Sequence, residues 1–150
     1  MHVVEAAKRL WAAPCTALGL VIGAVPLAFG GRLARADGTL EITHRERLAE
    51  CGLIARALPF RAIVFGHVIL AVTGEELERI RGHERVHVAQ YERWGALFIL
   101  AYGASGLWQL LRGRRPYWDN AFEVEARRLG VASAFAQARV EPACTFGGPP

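Results

Sequence analysis

His83-Glu84-Arg85-Val86-His87 is the stretch on which the reading of this chain turns. Four residues make just over one helical turn, so on a helix His83 and His87 project from the same face. Two imidazole nitrogens at that spacing can hold one zinc ion. Glu84 lies about 100° around the helix from His83. From there it can reach a water in an open coordination position and take its proton, which makes it a candidate base and not a ligand. The competing reading is a solvated helix face that carries two histidines by accident.

Zinc needs a third protein ligand. The downstream carboxylates weighed are Glu92, Glu123, Glu125 and Glu141. Glu92 sits on the same helix, beyond the reach of a site at His83 and His87, and Glu141 lies in the tail. Glu123 and Glu125 share one short predicted helix. They point about 200° apart, so one of the two can face a metal.

The surroundings favour a helix at the motif. Thr73 followed by Glu76 reads as a capping box, and Leu77, Ile80, His87 and Tyr91 recur at helical spacing, predicting a helix from Gly74 to about Arg93. Phe60 to Val72 is rich in β-formers and reads as one strand kinked or bulged at Gly66. Asp37-Gly38 reads as a turn, Thr39-Leu-Glu-Ile-Thr43 as a short strand and residues 44 to 58 as a loosely amphipathic helix. After the turn at Gly113-Arg-Arg-Pro116-Tyr-Trp-Asp-Asn120, either Asp119 or Asn120 can cap the helix that carries Glu123.

The chain is 150 residues long, enough for one domain with a modest core, and 53% of it is hydrophobic, which points toward a membrane. Lys8 is the only lysine, and the arginines are scattered among acids without a stripe, so no nucleic-acid partner is expected. Cys15, Cys51 and Cys144 form no Cys-x-x-Cys pair, so a thiolate metal site is not expected; Cys51 and Cys144 could pair in an oxidising compartment or remain free thiols.

Trp11 to Gly31 carries no charged side chain, and its 21 residues would span about 31 Å as a helix, the thickness of a bilayer core. The preferred reading is a transmembrane anchor over 11–31, after an N-terminal segment 1–10; the alternative is a core helix packed on the domain. Pro14 and Pro26 suit helix ends better than a helix middle. A metal-binding domain is expected over 37–140 and a loose tail over 141–150.

Trp94 to Leu111 is a second charge-free run. A straight crossing there would put His87 and Glu123 on opposite membrane faces, where they could not share an ion. A buried or re-entrant segment over 94–111 is therefore preferred, with Trp94, Tyr102 and Trp108 suited to an interface.

Several of these residues carry a resemblance. The arrangement resembles the gluzincin metallopeptidases whose third ligand lies in a Glu-x-x-Ala-Asp helix, and Glu123-Val-Glu-Ala126 matches with Glu123 in the ligand position. Arg127 stands where that family has an aspartate that orients a zinc-bound histidine; Asp119 or Asn120 are candidates to support the site instead. Arg61-Ala-Ile-Val-Phe-Gly-His-Val-Ile-Leu70, His83-Glu-Arg-Val-His-Val-Ala-Gln90 and Asp119-Asn-Ala-Phe-Glu123 together are similar to a family of small bacterial membrane proteins. Those carry a His-Glu-x-x-His-x-x-Gln helix and a downstream Asn-x-x-Glu-x-x-Ala helix.

The resemblance implies an α+β, minimal zincin-like domain made of edge strand, motif helix and third-ligand helix, behind an N-terminal hydrophobic helix. It also implies one Zn2+ per chain on His83, His87 and Glu123, with Glu84 as catalytic base. Phe65 to Leu70 would be the edge strand to which substrate adds. Tyr91, Tyr117 and His67 are candidate oxyanion stabilisers, His67 also a candidate fourth ligand, each against a packing or hydrogen-bonding role. The implied function is a membrane-anchored zinc metallopeptidase of the bacterial inner membrane, acting on a peptide or protein substrate beside membrane lipid. The alternatives are a non-catalytic zinc-binding membrane protein and a small membrane structural or adaptor protein.

Overall fold

The computed structural model describes residues 2–44 and 61–140, with side chains over 3–44 and 61–132. The expected helix at 44–58, the tail and the Cys51–Cys144 pair lie outside the described residues. The described residues form an α+β fold, a four-stranded sheet and four helices, the first of them apolar.

Helix α1 (His2–Ala28) begins earlier than the charge-free run and contains both Pro14 and Pro26. Pro14 sits on the exposed side of the helix and not at an end, as its place in the sequence had suggested. Ala12, Cys15, Gly19 and Gly23 recur every three to four residues and form the buried stripe of α1. Small residues are needed there: a Cβ on Gly19 would lie 2.8 Å from the Cβ of Val68, and one on Gly23 2.4 Å from Ile42.

Strands β1 (Arg32–Ala36) and β2 (Thr39–Thr43) form a hairpin around Asp37-Gly38, both at positive φ (46° and 84°). That geometry matches the twist of a two-residue turn. The stretch expected as one kinked strand is a second hairpin: β3 (Ala62–Phe65) and β4 (Val68–Ala71) pair antiparallel around Gly66-His67, with Gly66 at φ 58°. Glycine adopts that φ without steric cost, so Gly66 reverses the chain where a bulge would have bent it. Strand β4 runs parallel to β2, giving the order β1-β2-β4-β3, so that among the described residues β3 lies at an edge.

Helix α2 (Gly74–Trp94) covers the sheet face opposite α1. The Thr73 hydroxyl caps it by accepting from the Glu76 amide at 3.1 Å, while the Glu76 carboxylate pairs with Arg61 at 2.6 Å. Arg81 reaches back to Glu41 on β2 with two hydrogen bonds, 3.0 and 3.1 Å, and Glu41 is buried. At Gly95 the chain turns through 114° into α3 (Leu97–Leu111), and the indole of Trp11 fills the space where a Gly95 side chain would stand.

The run 94–111 is thus not fully buried, and nearly all of it is α3, set off from α2 by the break at Gly95-Ala96. Its inner face packs on the domain and its outer face is exposed. Asn120 then caps α4 (Ala121–Val140): its Oδ1 accepts from the Phe122 amide at 3.1 Å and its Nδ2 donates to the Tyr102 carbonyl at 3.0 Å. Helix α4 crosses α2 closely at Gly130, where a Cβ would lie 2.9 Å from His83 Cα.

Candidate metal centre

The α2–α4 crossing brings three ligand atoms together. His83 Nε2 and His87 Nε2 are 3.1 Å apart, Glu123 Oε2 is 3.4 Å from His83 Nε2, and Glu123 Oε1 is 3.3 Å from His87 Nε2. A tetrahedron with metal–ligand bonds of about 2.0–2.1 Å has edges of about 3.3–3.4 Å. His83, His87 and Glu123 therefore form a group that could hold a metal ion. A second observation fits this reading: Glu123 Oε2 is buried and accepts no hydrogen bond. Its neighbours His83 Nε2 at 3.4 Å and Arg127 at 3.7 Å make no hydrogen bond to it, and a cation bound between the imidazoles would satisfy it.

The supports are specific. His87 Nδ1 lies 2.8 Å from Gln90 Oε1, and because that oxygen can only accept, the ring proton sits on Nδ1 and leaves Nε2 as a lone pair facing the cluster. Gln90 is fully buried, and its amide nitrogen donates to the Phe122 carbonyl at 3.1 Å and to Glu125 at 2.7 Å. It therefore fixes both the histidine tautomer and the distance between the two helices. Arg93 closes the same link by pairing with Glu125. On the other side the Tyr102 hydroxyl donates to Glu123 Oε1 at 2.8 Å.

Burial works to raise the Glu123 pKa, but the adjacent His83 and His87 rings and the Tyr102 hydroxyl overcome it and hold the carboxyl far below its usual range. Burial likewise works to lower His87, and its bonds to Glu123 and Gln90 win, so its pKa rises. Glu84 is 6% exposed; desolvation raises its pKa against the pull of the two histidines.

Beside the cluster is a cavity of about 230 Å³ that Glu84 lines together with Val64, Phe65, Phe98, Ile99 and Tyr117. One wall is thus the edge strand β3. The Arg61 carbonyl accepts from the Val72 amide at 3.1 Å, so in the alternating antiparallel ladder Ala62 and Val64 turn their backbone groups away from β4, to the open edge. The free edge nearest the cluster is therefore Ala62–Phe65 and not Phe65–Leu70, whose second half is the interior strand β4.

The remaining sequence candidates separate clearly. Tyr91 is buried, packs edge-on against Phe98 at 4.4 Å between centroids and touches the cavity as part of the core. Tyr117 is half-exposed at the cavity, and burial and the Glu123 charge push its phenol up to about 12. His67 sits in the β3–β4 turn, its ring 3.2 Å from Glu92 and 3.5 Å from the Thr16 hydroxyl, and is not part of the three-residue group. Asp119 accepts from the Arg115 amide at 2.9 Å. Asn120 acts as the cap described above. Arg127 approaches Glu123 Oε2 at 3.7 Å and donates to the Trp118 carbonyl.

Gln90 and Tyr102 are the supports that the sequence reading passed over. Gln90 stood three residues after His87, a spacing that shares a helix face; Tyr102 lay in an apolar run with no local sign of a polar task. No protein-family model, curated protein or solved structure matches this chain.

Proposed function

We propose that this protein is a membrane-attached zinc peptidase of minimal zincin-like build, with His83, His87 and Glu123 as ligands and Glu84 as general base. The observation that carries the reading is the coincidence of the three ligand atoms, a buried carboxylate and a free strand edge around one cavity. Two imidazoles and one carboxylate are a donor set that suits zinc. A zinc ion bound there supplies Lewis acidity toward a carbonyl oxygen and lowers the pKa of water.

The chain's own groups supply the rest. An extended peptide adds to β3 through the outward backbone groups of Ala62 and Val64, which aligns it along the cavity. Glu84 accepts the proton of the attacking water and passes it to the leaving amine; its raised pKa brings it closer to the working range of a general base. The Tyr117 phenol stays protonated up to about 12 and can donate to a developing oxyanion. Gln90 and Tyr102 hold the ligands, and the apolar walls at Phe65, Phe98 and Ile99 favour apolar side chains next to the cleaved bond.

The test uses full-length protein in mild detergent. About one zinc per chain is expected by elemental analysis, lost in Glu123→Ala. Against quenched fluorescent peptides of apolar sequence, Glu84→Gln is expected to retain zinc and lose roughly 10²–10⁴-fold in turnover. A folded parent without zinc refutes the metal site. A zinc-loaded parent with no turnover, or with turnover that survives Glu84→Gln, refutes the peptidase.

A further inference from the structure

The charge-free stretch of α1 is long enough to cross a bilayer, yet the sheet lies along its whole length. At one end the guanidinium of Arg9 meets the Asp37-Gly38 turn; at the other, Gly31 packs against the Thr43 carbonyl. Between them, Gly19 and Gly23 touch Val68 and Ile42. A bilayer crossed by α1 would therefore enclose β1, with Arg32 and Arg35 exposed on it and its outer row of backbone groups paired by none of the described residues. Each unsatisfied backbone group in hydrocarbon costs several kcal/mol, which is why open sheet edges do not face lipid.

Turning α1 into the plane of the membrane removes the conflict. From Leu10 to Phe29 the exposed side of α1 carries no charged or hydroxyl side chain; Trp11, Leu18, Val21, Val25 and Phe29 are all on it. Exposed charges such as Glu75, Glu78 and Arg79 lie on α2, across the sheet from this face.

The break that leads into α3 meets α1 where Trp11 covers Gly95, and α3 adds Leu97, Leu100, Trp108 and Leu111 to the exposed apolar surface. All four tryptophans of the chain (Trp11, Trp94, Trp108 and Trp118) are at least 40% exposed, a costly arrangement in water and a favoured one at a headgroup boundary. Exposed arginines flank the apolar stretches: Arg9 and Arg32 on either side of the charge-free part of α1, Arg112 and Arg114 after α3, with Arg112 stacked on Trp108 at 4.4 Å. Apolar faces edged with cations complement a lipid surface bearing negative headgroups.

We propose that the adjoining outer faces of α1 and α3 form a docking surface for an anionic lipid bilayer, on which α1 lies in the interfacial plane and does not cross. The inference stands apart from zinc and from hydrolysis, and neither enters its test.

Full-length protein with Cys15→Ala, Cys51→Ser and Cys144→Ser is bound to sealed vesicles of phosphatidylcholine with or without phosphatidylglycerol. Single cysteines at Glu5→Cys and Arg32→Cys, near the two ends of α1, are expected to react alike with an impermeant maleimide outside. A fluorophore at Leu18→Cys is expected to be quenched by shallow lipid labels, at about 5–10 Å below the headgroups, more than by labels at the bilayer centre. Binding should require phosphatidylglycerol and fall at least roughly tenfold in Val21→Glu/Val25→Glu, both sites being exposed. Its far-ultraviolet spectrum and melting should match the parent. Protection of one end until the vesicles are lysed overturns the proposal in favour of a crossing. Failure to bind either vesicle, with a dimer that Val21→Glu/Val25→Glu dissociates, overturns it in favour of a second copy of the chain.

Discussion

Gln90→Leu tests how the site is held. The substitution keeps approximate volume at a fully buried position and removes three hydrogen bonds. One abandoned partner has nowhere else to turn, the His87 Nδ1 proton, whereas the Phe122 carbonyl stays in the backbone ladder of α4. An unsatisfied buried group costs about 1–3 kcal/mol, so the metal-free protein should lose roughly that much. Glu125 contributes little to this loss because Arg93 still binds it, at 2.9 and 3.0 Å.

The second effect is on the metal. Without its partner, the His87 ring is free to change tautomer and turn, and removal of such outer partners typically weakens metal binding 10–100-fold, about 1.4–2.7 kcal/mol. Urea unfolding of metal-free protein measures the first effect, and competition with a chromophoric chelator measures the second. Gln90→Glu separates them. It still accepts from His87 Nδ1 but cannot donate to Phe122 and sets a like charge beside Glu125. It should therefore bind metal at least as well as the parent while unfolding more easily. If Gln90→Leu binds zinc within about twofold of the parent, the reasoning from His87 orientation is wrong and Gln90 only ties two helices together.

Two further perturbations probe the same centre. Gly130→Ala places a methyl group 2.9 Å from the His83 backbone, which cannot yield; α4 should shift away, carrying Glu123 with it, at a cost of about 1–3 kcal/mol and with weaker zinc binding, and unchanged affinity would show that this contact does not set the helix spacing. The melting gain from zinc should widen as pH rises from about 5.5 to 8. In the metal-free fold the raised pKa of His87 gives stability that is full below its unfolded value and lost as pH rises through the folded one, whereas zinc needs both imidazoles neutral. The depressed pKa of Glu123 gives stability lost only as pH falls far into the acid range, so it does not move in this window. A gain that is flat or shrinks, read as the melting difference between zinc-loaded and chelated samples, contradicts the assignment.

What the sequence made legible was local. His83 and His87 one turn apart, Thr73 before the motif helix, Asp37-Gly38 between short strands and an N-cap before Glu123 all act within a few residues, and the fold has each of them. The β3–β4 hairpin escaped because Ala62 to Val72 is nearly continuously apolar, and a two-residue turn with a single glycine looks the same as a bulge until the partner strands are known. Tyr102 and Gly130 matter only through α4 and α2, contacts that no periodicity encodes. Hydropathy could not choose between a span and a packed helix for α1. The packed face of α1 has a finer signal: Ala12, Cys15, Gly19 and Gly23 at three- and four-residue spacing, a stripe of small side chains that lets a sheet approach.

The hydrogen bonds around Glu123 distinguish the two oxygens that a cation at the cluster would meet. Oε1 already accepts from Tyr102 at 2.8 Å, whereas Oε2 is buried and accepts nothing. Tyr102 is in turn placed by Asn120, which caps α4 and bonds the Tyr102 carbonyl, so the cap that starts the third-ligand helix also positions the donor that orients its carboxylate. A cation at the cluster would thus meet one oxygen with an open lone pair and two imidazoles, of which His87 is already held in the correct tautomer. That organisation does not depend on the ion. Its cost is borne by packing and hydrogen bonds between α2, α3 and α4, which is why substitutions at Gln90 or Gly130, neither of which touches a metal, should be felt there.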